Sequence, residues 1–355
     1  MTGSGVILVT GGAGFIGSHV VDALVESGAE VRVLDVLLGS AHAGRPDYLH
    51  PDATYVWGDV RDVRTIESCL DGVTAVSHQA SMVGMGTDLG DVADYVSHND
   101  AGTAALLLAL HRRGFQGRIV LGSSMVVYGE GAYLCDRHGI VRPAPRDAQR
   151  LERGAFEAEC PACGADVAPQ SVVEEAPTDP RNVYAATKLH QEHLCTVYAR
   201  ERRSALVTLR YHNVYGPRMP NDTPYAGVAS IFRSALHAGR PPRVFEDGRQ
   251  LRDFVHVRDV ARANIRAIDD AAPPGTYNVA SGTPRTVGDM AAALADAAGD
   301  APKPVVTGEF RLGDVRHVFA SVDRARRELG YAPEIEFNDG MREFASAPLR
   351  RSSRD

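Results

Sequence analysis

The sequence has no apolar run near the ~20 residues that span a bilayer as a helix. Its longest relevant run, AALLLAL (Ala104–Leu110), reads as the core of an ordinary helix. Positive charge is in deficit: 38 Lys and Arg against 45 Asp and Glu leave a net charge of −7. No general attraction to nucleic acid or to an anionic membrane follows, so an anionic ligand must be met by locally placed arginines. A stripe of Lys/Arg interleaved with aromatics, the mark of a nucleic-acid surface, is also missing. Met1–Thr10 lacks a basic start and a signal-type cleavage site, which leads us to expect a cytoplasmic protein. The five cysteines do not make a disulfide framework, since Cys69 and Cys195 are isolated. Repeats and low-complexity stretches are absent. At 355 residues, 44% hydrophobic and 23% charged, the chain can bury a large core in one or two domains.

Short β-branched runs alternate with helical stretches through the first half, the pattern of a parallel sheet covered by helices. Strands are expected at Val6–Thr10, Val31–Asp35, Thr54–Asp59, Ala75–Ala80, Arg118–Ser124 and Ala205–Arg210. Helices are expected from Gly14 to about Ser27, over Asp91–Arg113 and from about Tyr184. From Tyr211 the text is rich in Pro, Gly and Arg and reads as a smaller lobe built from loops. Thr286 with Asp289 three residues later signals a helix start. We therefore expect a Rossmann-type α/β domain over 1–210 carrying an insertion at 133–170. A substrate lobe covers 211–345 with some segments returning to the first domain, and 346–355 forms a frayed tail.

VILVTGGAGFIGSHV places Gly11, Gly14 and Gly17 at a strand-to-helix turn, where backbone N–H groups can approach a pyrophosphate. Asp35 ends the next strand; its carboxylate can accept ribose hydroxyls and would repel a 2′-phosphate, favouring NAD over NADP. Phe15 and Ile16 in the turn, Asp59 and Val60 after the third strand, and Ala80 and Asn99 complete the expected cofactor contacts. Asp59 and Val60 read equally well as a plain turn. Tyr184 and Lys188 are four apart on one helical face, where an ammonium would stabilise a phenolate and make tyrosine usable as a base. Taken alone, the pair could be a solvated helix pair. Ser124 stands at the carboxyl end of a strand, where open α/β sheets place ligands.

The segments TGGAGFIGSH, GDVRD, HQA, SSMVVYG, YAATK, RYHNVYGPR, RDFVHVRD and GDVRH run in order across residues 6–330. Together they resemble an extended short-chain dehydrogenase/reductase of the NAD-dependent nucleotide-sugar epimerase/dehydratase family. The resemblance implies Ser124 and Tyr184 at the sugar C4 hydroxyl, with Lys188 bridging Tyr184 to the cofactor ribose. It implies Asn213, Arg252 and Arg316 as nucleotide or diphosphate contacts, and a homodimer formed through helices near Asp91–Arg113 and Tyr184–Arg203. Each arginine taken singly could be a surface charge. Dehydratases of the family carry an acidic pair directly after the Ser/Thr, where this chain has Met125 and Val126. A 4-epimerase is the expected activity, with decarboxylation left open and a non-catalytic NAD-binding regulator as the reading from another class.

Cys135-x-x-His138 and Cys160-x-x-Cys163 supply the ligand count of a structural tetrahedral zinc site, with a reduced, metal-free surface loop as the alternative. The surrounding segment has too little apolar content to fold on its own core, which metal ligation could supply. The insert text resembles a dTDP-L-rhamnose 4-epimerase-like subgroup, as does Val83–Gly84 in the loop Ala80–Asp88 expected to touch the sugar. The resemblance also leaves UDP-hexoses, UDP-uronates and NDP-heptoses open as substrates.

Overall fold

The computed structural model describes residues 5–84, 89–221 and 227–350. Strand β1 (Val6–Thr10) leads into helix α1 (Phe15–Glu26), followed by β2 (Glu30–Asp35), β3 (Thr54–Trp57), α2 (Val63–Ser68), β4 (Val73–His78) and β5 (Arg118–Ser124). These strands join Leu206–Tyr211 and Gly275–Val279 in one seven-stranded sheet. Its order is Gly275–Val279, Leu206–Tyr211, β5, β4, β1, β2, β3, and every pairing is parallel. All five residues of β1 are buried, as expected for a central strand covered on both faces. The chain winds outward in opposite directions from β1, toward β2 on one side and β4 on the other. That topological switch point opens a crevice at the carboxyl ends of the strands.

One face of the sheet is covered by α1 and by helices Val257–Ile268 and Asp323–Leu329; their buried core includes Val20, Leu24, Val260 and Leu329. The other is covered by α2, by the helical run from Val92 to Arg112 and by helix Val183–Arg202, around Ile66, Leu106, Leu110 and Cys195. The region after Tyr211 is more regular than its composition suggests. Helices Val228–His237, Val287–Ala297 and Phe337–Ser346 form their own core around Phe232, Met290, Leu294 and Phe344. Pro- and Gly-rich connections masked these short amphipathic helices. The Thr286 signal corresponds to a capping box: Asp289 N–H donates to Thr286 Oγ1 at 2.9 Å, and Thr286 N–H donates to Asp289 at 3.0 Å. Strand Gly275–Val279, not anticipated from sequence, adds an edge to the main sheet.

Between β5 and helix Val183–Arg202 lies a three-stranded antiparallel sheet, with Ala132–Cys135 central between Gly139–Val141 and Ala168–Gln170. A short helix, Ala148–Glu152, is capped by the Asp147 carboxylate accepting from Arg150 N–H at 3.0 Å. The tail does not fray before its last described residue. Arg350 N–H donates to Met219 O at 2.9 Å, and Asn221 N–H donates to Arg350 O at 2.8 Å.

Candidate active site and metal centre

A cavity of about 760 Å³ opens at the carboxyl ends of the strands, lined from the glycine turn through Ser124 and Tyr184 to the second lobe. Gly11 has φ +70°, and a Cβ there would stand 2.7 Å from the Ala80 backbone. A Cβ on Gly17 would stand 2.1 Å from Gly11 O, so only glycine lets α1 pack this closely on the turn. Helix α1 starts at Gly14 with no side-chain cap, leaving its first N–H groups directed at an anion site. Gly11, Gly14, Phe15, Ile16 and Gly17 all line the cavity.

Asp35 holds the turn and faces the same space. Its carboxylate accepts Ala13 N–H at 2.9 Å and Leu37 N–H at 2.8 Å. Burial raises its pKa against the pull of these bonds, and each oxygen keeps a lone pair for a ribose hydroxyl. Asp59, Val60 and Ala80 line the cavity as well. The Asp59 carboxylate is held below its usual range by the Arg61 guanidinium. Asn99 sits elsewhere: it is fully buried behind the cavity wall and is not among the lining residues. Its Oδ1 accepts Met82 N–H at 2.7 Å and Ser81 Oγ–H at 3.0 Å, while Nδ2 donates to Met82 O and Thr187 Oγ1 at 3.0 Å. Asn99 lies in a π-helical stretch, Val96–Ala101, and supports the Ser81–Met82 wall against the Tyr184 helix.

Ser124 ends β5, and Tyr184 and Lys188 lie on helix Val183–Arg202, capped by Asn182 Oδ1 accepting Ala185 N–H at 2.8 Å. All three line the cavity. Burial pushes the Tyr184 phenol up to about 12, and a hydrogen bond with the Ser124 hydroxyl opposes the shift. Lys188, one of two lysines in the sequence, is drawn down to about 8 by burial. Its Nζ donates to Gly122 O and to Gln191 Oε1, each at 2.6 Å. In this state the ammonium is therefore anchored to β5 and not hydrogen-bonded to the phenol, in contrast to the expected direct stabilisation.

Val83 and Gly84 line the cavity; the remainder of the expected sugar loop, 85–88, lies outside the described residues. Asn213 lines it with Oδ1 buried and without a partner, an acceptor ready for a ligand donor. Arg252 lines it with three N–H groups already committed, to Leu251 O, Arg316 O and Val315 O at 2.7–2.8 Å. Two N–H donors remain for a phosphate. The placement of Arg316 differs from the expectation of a diphosphate contact. It is fully buried and absent from the cavity lining. Its guanidinium donates to Glu246 at 2.8 Å, to Asp247 at 2.7 and 2.9 Å, and to Glu157 at 3.1 Å. Three carboxylates saturate the fork, so this arginine secures the wall instead of facing the ligand. The cationic lining includes Arg181, Arg243, Arg311 and Arg350. None stands in a spacing that marks it in the sequence.

Cys135, His138, Cys160 and Cys163 converge, with all four donor atoms within 4.8 Å of one another. Cys135 Sγ lies 3.8 Å from Cys163 Sγ, and His138 Nδ1 lies 3.5 Å from both Cys135 Sγ and Cys160 Sγ. Zinc bonds of ~2.3 Å to sulfur and ~2.0–2.1 Å to nitrogen give tetrahedral edges of about 3.8 Å and about 3.5 Å respectively. The donor set therefore fits the ion. Gly139 and Gly164, at φ +67° each, let the chain turn back after each ligand pair. Beyond the cluster, Glu157 pairs with His317 at 2.9 Å as well as with Arg316. Arg146 donates to Glu246 at 2.7 Å and to Asp314 O at 2.9 Å. Glu246 and Asp314 line the cavity, so the insertion is tied directly to its wall.

Fold and site together define a dinucleotide-dependent enzyme of the short-chain dehydrogenase/reductase type, with a Ser–Tyr–Lys group at the switch point. The chain belongs to the NAD dependent epimerase/dehydratase family, whose pattern matches residues 7–147 and 159–280. The gap in that match, 148–158, falls inside the insertion. A dTDP-L-rhamnose 4-epimerase of Burkholderia thailandensis is 33% identical over 346 residues, 95% of this chain and 93% of that protein. The UDP-glucose 4-epimerase of Thermotoga maritima, solved with UDP-glucose, has a TM-score of 0.77 at 28% identity, covering 96% of this chain and 97% of that one. The UDP-glucose 4-epimerase of Thermus thermophilus, solved with NAD, has a TM-score of 0.75 at 30% identity, covering 96% and 97%.

Proposed function

We propose that the protein is an NAD-dependent nucleotide-sugar 4-epimerase that interconverts dTDP-L-rhamnose and dTDP-6-deoxy-L-talose. The observation that carries the reaction class is the cavity that holds Ser124 and Tyr184 beside the glycine turn, with Met125 and Val126 where a dehydratase needs acids. Neither side chain can move a proton. The substrate choice is supported by the 33% identical relative that bears that name.

Gly11, Gly14 and Gly17 hold the cofactor pyrophosphate, and Asp35 binds its adenosine ribose. Bound NAD supplies reversible two-electron oxidation at sugar C4. Tyr184 Oη, once ionised, accepts the C4 hydroxyl proton, while Ser124 Oγ hydrogen-bonds the same oxygen. The resulting 4-keto sugar turns over inside the cavity, with its diphosphate retained by the Arg252 side. Tyr184 returns the proton to the C4 oxygen of the inverted sugar. Lys188 carries positive charge one helical turn from the base and favours the phenolate electrostatically.

The Cys135/His138/Cys160/Cys163 group binds structural zinc; with four protein ligands no coordination position is left for chemistry. Residues 1–210 form the cofactor domain and 211–345 most of the substrate lobe. A homodimer joins through the helical run from Val92 to Arg112 and helix Val183–Arg202, which expose Val92, Val96, Leu108 and Val197.

Incubation with dTDP-L-rhamnose and a panel of UDP-hexoses, UDP-uronates and NDP-heptoses, without added cofactor, tests the substrate by NMR. The C4 epimer should form fastest from dTDP-L-rhamnose. Preferential turnover of another member would reassign the substrate within the same reaction.

A further inference from the structure

The last described residue, Arg350, lies at the site where the first helix begins. Arg350 is fixed through its backbone by the two hydrogen bonds to Met219 and Asn221, in a bridge alongside Pro220. Its side chain enters the cavity. Nη1 lies 3.9 Å from the position a Cβ would take on Gly14, beside the uncapped start of α1. Nε and Nη1 are buried and have no hydrogen-bond partner. The Tyr48 phenol, which feels the guanidinium charge, is itself fixed by donating to Ala13 O at 2.8 Å. Arg218 stacks over the other part of that ring at 4.8 Å. Asp35 and His42 both feel the Arg350 charge.

Arg350 is half-buried, and buried guanidinium donors left unused are costly unless an anion completes them. Among the described residues no carboxylate forms an ion pair with Arg350. The open positions of the fork, the free N–H groups of α1 and the glycine turn all converge on one locus. We infer that Arg350 is a cofactor-binding residue that clamps the dinucleotide pyrophosphate beside the start of α1, so that the segment ending at Arg350 helps retain the cofactor. The inference rests on the reading of this cavity as the NAD site. An arginine fork suits a diphosphate bidentately in a way lysine does not.

The test compares wild-type protein with Arg350→Ala and Arg350→Lys. The nucleotide released by acid from purified protein is quantified, and calorimetric titrations are run with ADP-ribose, which carries the pyrophosphate, and with adenosine, which carries no phosphate. A charge-assisted contact predicts roughly a tenfold to hundredfold weaker ADP-ribose binding in Arg350→Ala. Arg350→Lys should be intermediate, adenosine affinity unchanged, and co-purified NAD depleted. Equal ADP-ribose affinity in Arg350→Ala overturns the inference, as does an equal loss for adenosine and ADP-ribose, which would indicate a collapsed site. A wild-type protein that neither contains nor binds NAD would instead sink the underlying cofactor reading. Matching circular-dichroism spectra and melting temperatures exclude misfolding as the cause.

Discussion

Tyr184→Phe should lower kcat by roughly 10²- to 10⁴-fold while leaving bound NAD and the KM for the nucleotide sugar little changed. The ring remains to fill its place beside Tyr95, whose centroid lies 6.0 Å away, so packing is preserved and only the proton-transferring oxygen is lost. The large effect follows from how few groups can substitute. Ser124 is a poor base, and Met125 and Val126 offer nothing. The pKa of about 12 that burial imposes on the Tyr184 phenol means the protein must ionise it against its surroundings. Rates should therefore rise with pH above neutrality in the wild type and lose that dependence in the variant. A Phe variant with full turnover would place the base elsewhere.

Loss of the metal should act on the other side of the cavity. Purified protein is expected to hold one zinc per chain, and Cys160→Ser to hold none. The insertion has little apolar core of its own, so bound zinc would supply much of its folding free energy. Its attachments are specific: Glu157 to Arg316 and His317, and Arg146 to Glu246. Releasing them leaves Arg316 buried with two of its three carboxylates and frees the wall that bears Glu246 and Asp314. The KM for the nucleotide sugar should rise on the order of tenfold to a hundredfold, as expected for a displaced binding wall. NAD content should be unchanged, because the hydrogen bonds that hold the glycine turn and Asp35 among the described residues go to partners outside the insertion. Elemental analysis, melting curves and steady-state kinetics on the same preparations check this. A zinc-free protein with wild-type KM would dispose of the metal's role.

What the sequence reveals and what it conceals divide along contact range. The glycine turn, the Tyr184/Lys188 helix pair and the two metal knuckles are legible because their chemistry is set by spacings of three or four residues, and Asp35 because it ends the strand that follows the glycine turn. The first half alternates clearly enough for the parallel sheet to follow. Arg316 was legible only as a basic residue in a family-like segment, and its partners Glu157, Glu246 and Asp247 lie far away in the chain. Asn99 likewise looks like a cofactor contact until the fold turns its amide onto Met82 and Thr187. Lys188 is correctly placed on the helix, yet the direction of Nζ depends on Gly122 and Gln191. Strand Gly275–Val279 is five residues with a polar, fully buried Asn278 next to its end. Its side chain bonds Tyr128, Val172 and Ser321 and its N–H donates to Glu174, none of which is local. Arg350 in a charged tail carries no signal at all.

The most direct measurement uses nucleotide sugar deuterated at C4, incubated with enzyme as purified and no added cofactor. Transient oxidation and return within one closed cavity predicts the C4 epimer with deuterium kept at C4 and no accumulation of reduced cofactor. Wash-out of the label to solvent, or a product that has lost water, would contradict the account.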